Sequence, residues 1–413
     1  MKKYSKIITK CQFSKKKDLQ TVLSLGFLPG VNQMQKVNSN NNFEYFFPTN
    51  LVYSPSSKLF QIDNIVDKKI LFPKSYPYTS STTKILRDNF ENLYKETKNT
   101  FGLNKDDLVV DIGSNDGNLL KKFKNCKVLG VTPEKIGYKA IRDGIPTIIN
   151  YFNKKVVNQI NKKYGKAKII TATNVFAHID NIDDLMRNIL KLIKEDGVFI
   201  TESHYFLSLV KTLQYDTIYH EHLRYYTVTS LKNIFKKYGM KIIKVKKINT
   251  HGGSIRVYAV KNKKFSIDKS VNKSLIEEKT FLSKKNIKLF RNKVLKSKSD
   301  LLSKILKIKK NNNSIFAVGA PSRATTLVNY VGLNENLIDC ICEIKGSHKI
   351  SHYLPGTRIP IVSEQIIFKK KPEYLLILSW HISRELIKNL RKKGYKGKFI
   401  IPLPNPKIVR KYN

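Results

Sequence analysis

This chain predicts an α/β architecture: a doubly wound parallel sheet, preceded by a small β-rich unit and followed by a second, Rossmann-like unit. Three observations carry that prediction. Short apolar strands alternate with helical stretches from Leu108 onward, the alternation that builds a parallel sheet with helices on both faces. A glycine-bearing turn follows the first of these strands at Asp111 to Gly117, and the same strand–turn–helix alternation starts again at Ser314. At 413 residues there is room for two or three domains, each with its own core. The divisions fall at 1–75, 76–264, a helical linker at 265–312, and 313–413.

Composition narrows the function classes. The apolar and aromatic fractions are those of a globular protein, but the formal net charge is +46. Such a charge raises nucleic acid or an anionic surface as a partner. The cations are mostly lysine and are spread over the whole length, without a compact basic patch interleaved with aromatics. That distribution fits solvated faces and the attraction of small anionic substrates better than a nucleic-acid stripe. The four cysteines, Cys11, Cys126, Cys340 and Cys342, form no disulfide framework. No apolar run approaches a membrane span, and the opening residues lack the apolar core of a signal peptide. A cytoplasmic enzyme without membrane contact is the expectation, its oligomeric state unknown.

Taken in order, the first unit has β-like pieces at 23–29, 45–53 and 59–65, with no visible staple for so small a fold. Tyr76 and Tyr78 flank Pro77, and a helical pattern follows from Thr82. Strand 108–110 runs into D-I-G-S-N-D-G-N-L-L, where Gly113 and Gly117 allow a tight turn and close approach of a ligand. A helix bearing Leu119, Leu120 and Phe123 is expected next. Strands at 127–131, 146–149, 169–172 and 198–201 continue the sheet, with N-V-F-A-H at 174–178 after the fourth. Thr229 is read as the cap of a helix that ends before Gly239, and 241–248 with 254–260 as a closing strand pair. Residues 265–312 read as amphipathic helices. In the last third, the turn at 319–326 brings backbone N–H groups and Arg323 to a helix start, suited to a phosphate or carboxylate.

The richest chemistry lies in D-T-I-Y-H-E-H-L-R-Y-Y at 216–226. Tyr219 stands three residues before His222, so a turn or helix would put phenol and imidazole on one face, with Glu221 between them. A histidine that titrates near neutrality beside a carboxylate is suited to general base work. The alternative is a purely structural interdomain polar network. A metal site is disfavoured because the order is H-E-H and not H-E-x-x-H.

In order and spacing, D-I-G-S-N-D-G, N-V-F-A-H, D-T-I-Y-H-E-H, T-H-G-G-S-I-R-V-Y, G-A-P-S-R-A-T-T-L-V-N-Y and L-P-G-T-R-I-P-I resemble the nucleotide-sugar C-methyltransferases, such as the mycarose-type 3-C-methyltransferases. The resemblance runs over nearly the whole chain. It implies a class I S-adenosylmethionine methyltransferase sheet between a small amino-terminal zinc module and a carboxy-terminal nucleotide-sugar-binding unit. It implies S-adenosylmethionine as cofactor and a nucleotide-linked 4-keto-deoxysugar as substrate, methylated at C3 after loss of the adjacent proton. On that pattern His222 is the base, with Tyr219 and Glu221 orienting it or stabilising the enolate. Tyr76, His178 and Arg323 would hold the sugar, and Asp111, Gly113, Asn115, Gly117, Thr132 and Asn174 the cofactor.

Two departures stand out. The family's paired C-x-x-C motifs are reduced here to Cys11 with Ser14, and Ser54 with Ser57, so no structural zinc is expected. The acidic residue expected after the second strand, to hold the cofactor ribose, is Thr132, with Glu134 nearby. The remaining alternatives are a nucleotide-sugar- or cofactor-binding protein without turnover, and a nucleic-acid methyltransferase.

Overall fold

The computed structural model describes residues 4–39, 43–72, 84–262 and 264–410. Its centre is a seven-stranded sheet: β1 (Leu108–Ile112), β2 (Lys127–Thr132), β3 (Thr147–Ile149), β4 (Ala167–Thr173), β5 (Ile193–His204), β6 (Lys241–Ile248) and β7 (Ser254–Val260). The strands lie in the order β6-β7-β5-β4-β1-β2-β3. All neighbours from β5 to β3 are parallel, while β7 runs antiparallel to both β5 and β6. This is the doubly wound class I methyltransferase sheet with its closing antiparallel pair. The order reverses between β1 and β4, so a crevice opens beyond their carboxyl ends. Strand β1 is buried along its whole length, which is why Leu-Val-Val is a continuous apolar run without alternation.

Two local expectations fail. The segment after Gly117 makes only a 3-10 turn, Leu120–Lys122, which Phe123 leaves with non-helical dihedrals. Only nine residues separate Gly117 from β2, too few for a full helix and its return, so no extended helix dipole faces the Asp111–Gly117 turn. The helix Val228–Lys237 is capped by Thr227 and not by Thr229: Thr227 accepts from the Ser230 N–H and Ser230 reciprocates, forming a capping box. Gly239 follows it with φ +70°, as a C′ glycine should.

The amino-terminal unit is a four-stranded sheet in which Gln20–Pro29, Phe46–Ser54 and Leu59–Ile62 are completed by Arg224–Tyr225 from the central segment. The staple that this small fold lacks on its own is therefore the rest of the chain. Leu23, Leu28 and Leu51 share one apolar core with Phe290 and Val294 of the long helix Lys284–Lys310 and with the carboxy-terminal sheet. That second seven-stranded sheet has a parallel centre, Pro360–Ser363, Cys340–Glu343, Ile315–Val318, Tyr374–Ile377 and Lys398–Ile401, with an antiparallel strand at each edge. Cys340 and Cys342 are buried in it, as core residues. No helix among the described residues is long and apolar enough to cross a membrane.

Candidate active site

A cavity of ≈770 Å³ opens at the carboxyl ends of β1, β2 and β4 and extends to the amino- and carboxy-terminal units. One end is built by the turn after β1. Gly113 has φ +73°, and a Cβ there would meet Val175 Cγ2 at 2.3 Å, so only glycine fits between turn and neighbour. Asn115 also takes a left-handed conformation, at φ +51°, and its amide donates to Glu134 Oε2 at 3.2 Å. Burial raises the Glu134 pKa, partly offset by that hydrogen bond. Asp111 is buried at the floor and accepts from Thr171 Oγ1 at 2.6 Å. Burial, aided by the Glu202 charge and opposed by the Thr171 hydrogen bond, pushes Asp111 up to about 7.

Thr132 and Asn174 both line this end. Thr132 Oγ1, Asn174 Oδ1, Ser114 Oγ and Ser203 Oγ are buried with no partner among the described residues. Buried polar atoms are normally satisfied, so these orphans mark a surface shaped for a polar ligand. An adenosine and amino-acid conjugate fits it: hydroxyl and amide groups for the amino-acid end, and a half-buried carboxylate, Glu134, for a diol. Gly117 departs from the expectation. It is not part of the cavity wall, and a Cβ on it would meet Ala140 at 3.0 Å and Ile145 at 3.3 Å. Its role is packing, with the 3-10 turn held against the helix Gly137–Arg142.

The other end gathers imidazoles. The segment after Thr217 is a turn closed by the His222 N–H donating to Tyr219 O at 3.0 Å, which brings the two rings to 4.3 Å between centroids. His222 Nδ1 lies 2.9 Å from the Thr217 carbonyl. A carbonyl only accepts, so Nδ1 carries the proton and Nε2 keeps a lone pair. Around it lie His178 and His204, each 5.1 Å away between centroids, and His251 stacks on His204 at 5.5 Å. Burial holds His222 down to about 4, despite the Thr217 hydrogen bond, with His251 and Arg323 adding to the shift. Burial likewise lowers His178 to about 3 and His251 to about 4. Tyr219 moves the other way: burial first, then the Glu221 charge, keeps its phenol protonated far above neutrality.

The turn is held from both sides. Glu221 Oε1 accepts from Asn32 Nδ2 at 2.8 Å, and His220 points away from the imidazole cluster to Thr49 Oγ1 and the Pro48 carbonyl. Arg224, fully buried, donates to Gln12 Oε1 at 2.7 Å and to the carbonyls of Phe176 and Ile179. From the carboxy-terminal unit, Arg323 makes a bidentate pair with Asp216 at 2.7 Å for each contact, and Trp380 Nε1 donates to the same carboxylate at 2.7 Å. Arg323 does line the cavity, but its Nε and Nη2 are committed to Asp216 and Gln214.

The expected residues Asp111, Gly113, Asn115, Thr132 and Asn174 thus meet at one end, and His178, Tyr219, Glu221, His222 and Arg323 at the other. Tyr76 lies outside the described residues. Sequence reasoning missed His204, His251, His381 and Lys349, which also border the cavity. Of these only His251 had a signal, since it sits in the quoted T-H-G-G stretch. It also missed the buried Arg256, which donates to Glu202 at 2.6 Å and to Glu96 at 2.9 Å, fastening the helix Lys84–Phe101 over the sheet.

Three family descriptions match in succession: a putative zinc binding domain at 11–72, a methyltransferase domain at 85–245, and a C-methyltransferase C-terminal domain at 249–404. The C-methyltransferase NovU of Streptomyces niveus is 28% identical over 411 residues, which is 97% of this chain and 97% of that protein. Among solved structures, magnesium protoporphyrin IX methyltransferase ChlM of Synechocystis PCC 6803 aligns at TM-score 0.34 and 13% identity, over 43% of this chain and 83% of its own. An S-adenosylmethionine-dependent methyltransferase of Clostridium acetobutylicum ATCC 824 aligns at TM-score 0.33 and 15% identity, over 44% of this chain and 93% of its own.

Proposed function

We propose that this chain, whose residues 85–245 match a methyltransferase domain and 249–404 a C-methyltransferase C-terminal domain, is an S-adenosylmethionine-dependent C-methyltransferase whose acceptor is a nucleotide-linked 4-keto-deoxysugar, methylated at the carbon beside the ketone. The observation that carries this reading is His222: an imidazole with Nδ1 tied to a carbonyl and Nε2 left with its lone pair, in the same cavity as Asp111, Gly113 and Asn115.

S-adenosylmethionine, when bound, supplies an electrophilic methyl on a sulfonium sulfur. Glu134, supported by Asn115, would hold the ribose hydroxyls in place of the acidic residue that Thr132 replaces, and Asp111, Gly113 and Asn174 would border the amino-acid end. At the acceptor end, His222 Nε2 removes the C3 proton, whose acidity comes from the neighbouring ketone. The C–H electron pair becomes the enolate, and that carbon then bonds the methyl as the carbon–sulfur bond breaks. Imidazolium and enolate form together, so each stabilises the other among buried side chains, where charges attract more strongly than in water. The Tyr219 hydroxyl, held protonated, donates to the enolate oxygen. Glu221, fixed by Asn32, holds the turn in register. His178 and the remaining Nη1 of Arg323 face the sugar and its anionic carrier, and Tyr76 belongs to the same substrate set.

The test is incubation with S-adenosylmethionine and a panel of nucleotide-linked 4-keto-6-deoxysugars, with product mass as readout. Gain of one methyl on carbon supports the reading. Methyl transfer to oxygen, or to RNA or DNA and not to any sugar, contradicts it, as does cofactor binding without turnover on every carrier.

A further inference from the structure

The amino-terminal module matches a description that names zinc, yet its four would-be ligand positions are Cys11, Ser14, Ser54 and Ser57. Structural zinc is held by deprotonated thiolates and imidazoles in a closed tetrahedron, and neutral serine hydroxyls do not replace thiolates as ligands. One thiol with three hydroxyls therefore does not fit the metal.

The backbone nevertheless keeps the form of a cradle. Cys11–Ser14 and Ser54–Ser57 fold as two turns of the same build. In each, the residue after the last ligand position takes a left-handed conformation, Lys15 at φ +62° and Lys58 at φ +59°. In each, that residue's N–H closes back on the first position: Lys15 N to Cys11 O at 3.0 Å, and Lys58 N to Ser54 O at 2.8 Å. The Phe13 and Ser14 N–H groups both point at Cys11 Sγ at 3.4 Å.

Between the turns the metal's place is taken by polar contacts. Cys11 Sγ lies 3.2 Å from Ser57 Oγ, and Ser56 Oγ donates to Ser14 Oγ at 3.0 Å. Asp18 clamps the second turn, accepting from Ser54 Oγ and the Ser56 N–H at 2.9 Å each.

We propose that this chain holds a two-turn metal cradle closed by a thiol, hydroxyl and carboxylate network instead of zinc, and that the network supports the catalytic turn. The link to the site is Gln12, inside the first cradle turn. Its amide donates to the Ile62 and Leu223 carbonyls at 3.2 Å, and its Oε1 accepts from Arg224. Leu223 adjoins His222, so the cradle fixes the chain on which the base is mounted, without a metal ion as intermediary.

The experiment measures zinc per chain by mass spectrometry in protein purified without chelators from zinc-supplemented cells, for the native chain and for Cys11→Ser. It also follows melting and methyl transfer with and without EDTA. The expected result is no zinc that depends on Cys11, and melting and turnover indifferent to EDTA. About one zinc per chain that disappears in Cys11→Ser, with loss of melting temperature on chelation, overturns the proposal, because metal and folding are coupled in true sites. The triple variant Ser14→Cys/Ser54→Cys/Ser57→Cys provides the complementary arm. It should gain one cobalt or zinc per chain, with the near-ultraviolet cobalt–thiolate band. A folded triple variant that takes up neither metal overturns the claim that the cradle geometry is retained. If the triple variant does not fold, the native zinc content still decides.

Discussion

The end of the cavity proposed for the cofactor comes from short stretches, 111–115, 132–134 and 173–175, that follow the carboxyl ends of neighbouring strands of one sheet. The acceptor end is assembled from residues as far apart as His178, His222, His251 and Arg323, held by the units on either side of the central sheet. A local turn can be shaped by two or three residues. A cluster of buried, uncharged imidazoles cannot, because each must be desolvated and kept in place by neighbours that themselves need support. The turn proposed to carry the base is therefore clamped from the amino-terminal side by Asn32, Gln12 and Thr49, and from the carboxy-terminal side by Arg323 and Trp380.

The contrast is sharpest at the base. His222→Ala should lower kcat by about 10²- to 10⁴-fold, while S-adenosylmethionine affinity, measured by calorimetry, stays within about twofold of the native value, a margin of about 0.4 kcal/mol. Loss of both together would mean that the two ends are not separable. Next in size is the clamp. Asp216→Ala leaves a buried guanidinium unpaired and should cost about 3–5 kcal/mol of stability, read from denaturant unfolding. A cost under about 1 kcal/mol would place Arg323 in a solvated environment. Glu134→Gln acts at the other end. Weakening a hydrogen bond to a charged group should reduce cofactor affinity by about ten- to a hundredfold, with acceptor KM unchanged. An unaltered affinity would return the ribose to Thr132 or to other groups.

The smallest expected effect is a flat pH profile where an ordinary histidine would give a slope. A base acts in its neutral form, so activity is lost as pH falls through its pKa. With burial holding His222 down to about 4, kcat/KM should stay level from pH 8 to about pH 5. An acid limb near 6.5 would show an exposed imidazole. Stability should respond sooner. His178, His220, His222 and His251 have folded-state values of about 3 to 4, below the unfolded value. Their contribution is present above pH 6.5 and is lost as pH falls toward those values, at up to about 1.4 kcal/mol per pH unit for each histidine. Melting temperature should drop steeply between pH 6.5 and 4.

The same division explains what was legible in the sequence. The sheet, its closing strand pair and the Asp111–Gly117 turn could be read because apolar runs and glycines act locally. The capping shift to Thr227 and the loss of a helix after Gly117 are boundary effects, set by chain length and cap chemistry. His222 and Tyr219 were legible because one turn brings them together. His204 and His381 were not, since isolated histidines carry no spacing signal, and only the meeting of strand ends puts them in one cavity. Arg323 stands out in the sequence by its place at a helix start and lines the cavity, but its pairing with Asp216 spans 107 positions, and no local pattern encodes that separation.

The most direct test of the central claim is solvent deuterium exchange at C3 of a nucleotide-linked 4-keto-6-deoxysugar, followed by mass spectrometry, for the native chain and for His222→Ala. Enzyme-dependent uptake of one deuterium at C3, abolished in His222→Ala while the variant still binds S-adenosylmethionine, is the predicted result. Exchange that persists undiminished in His222→Ala would contradict the assignment of His222 as the base.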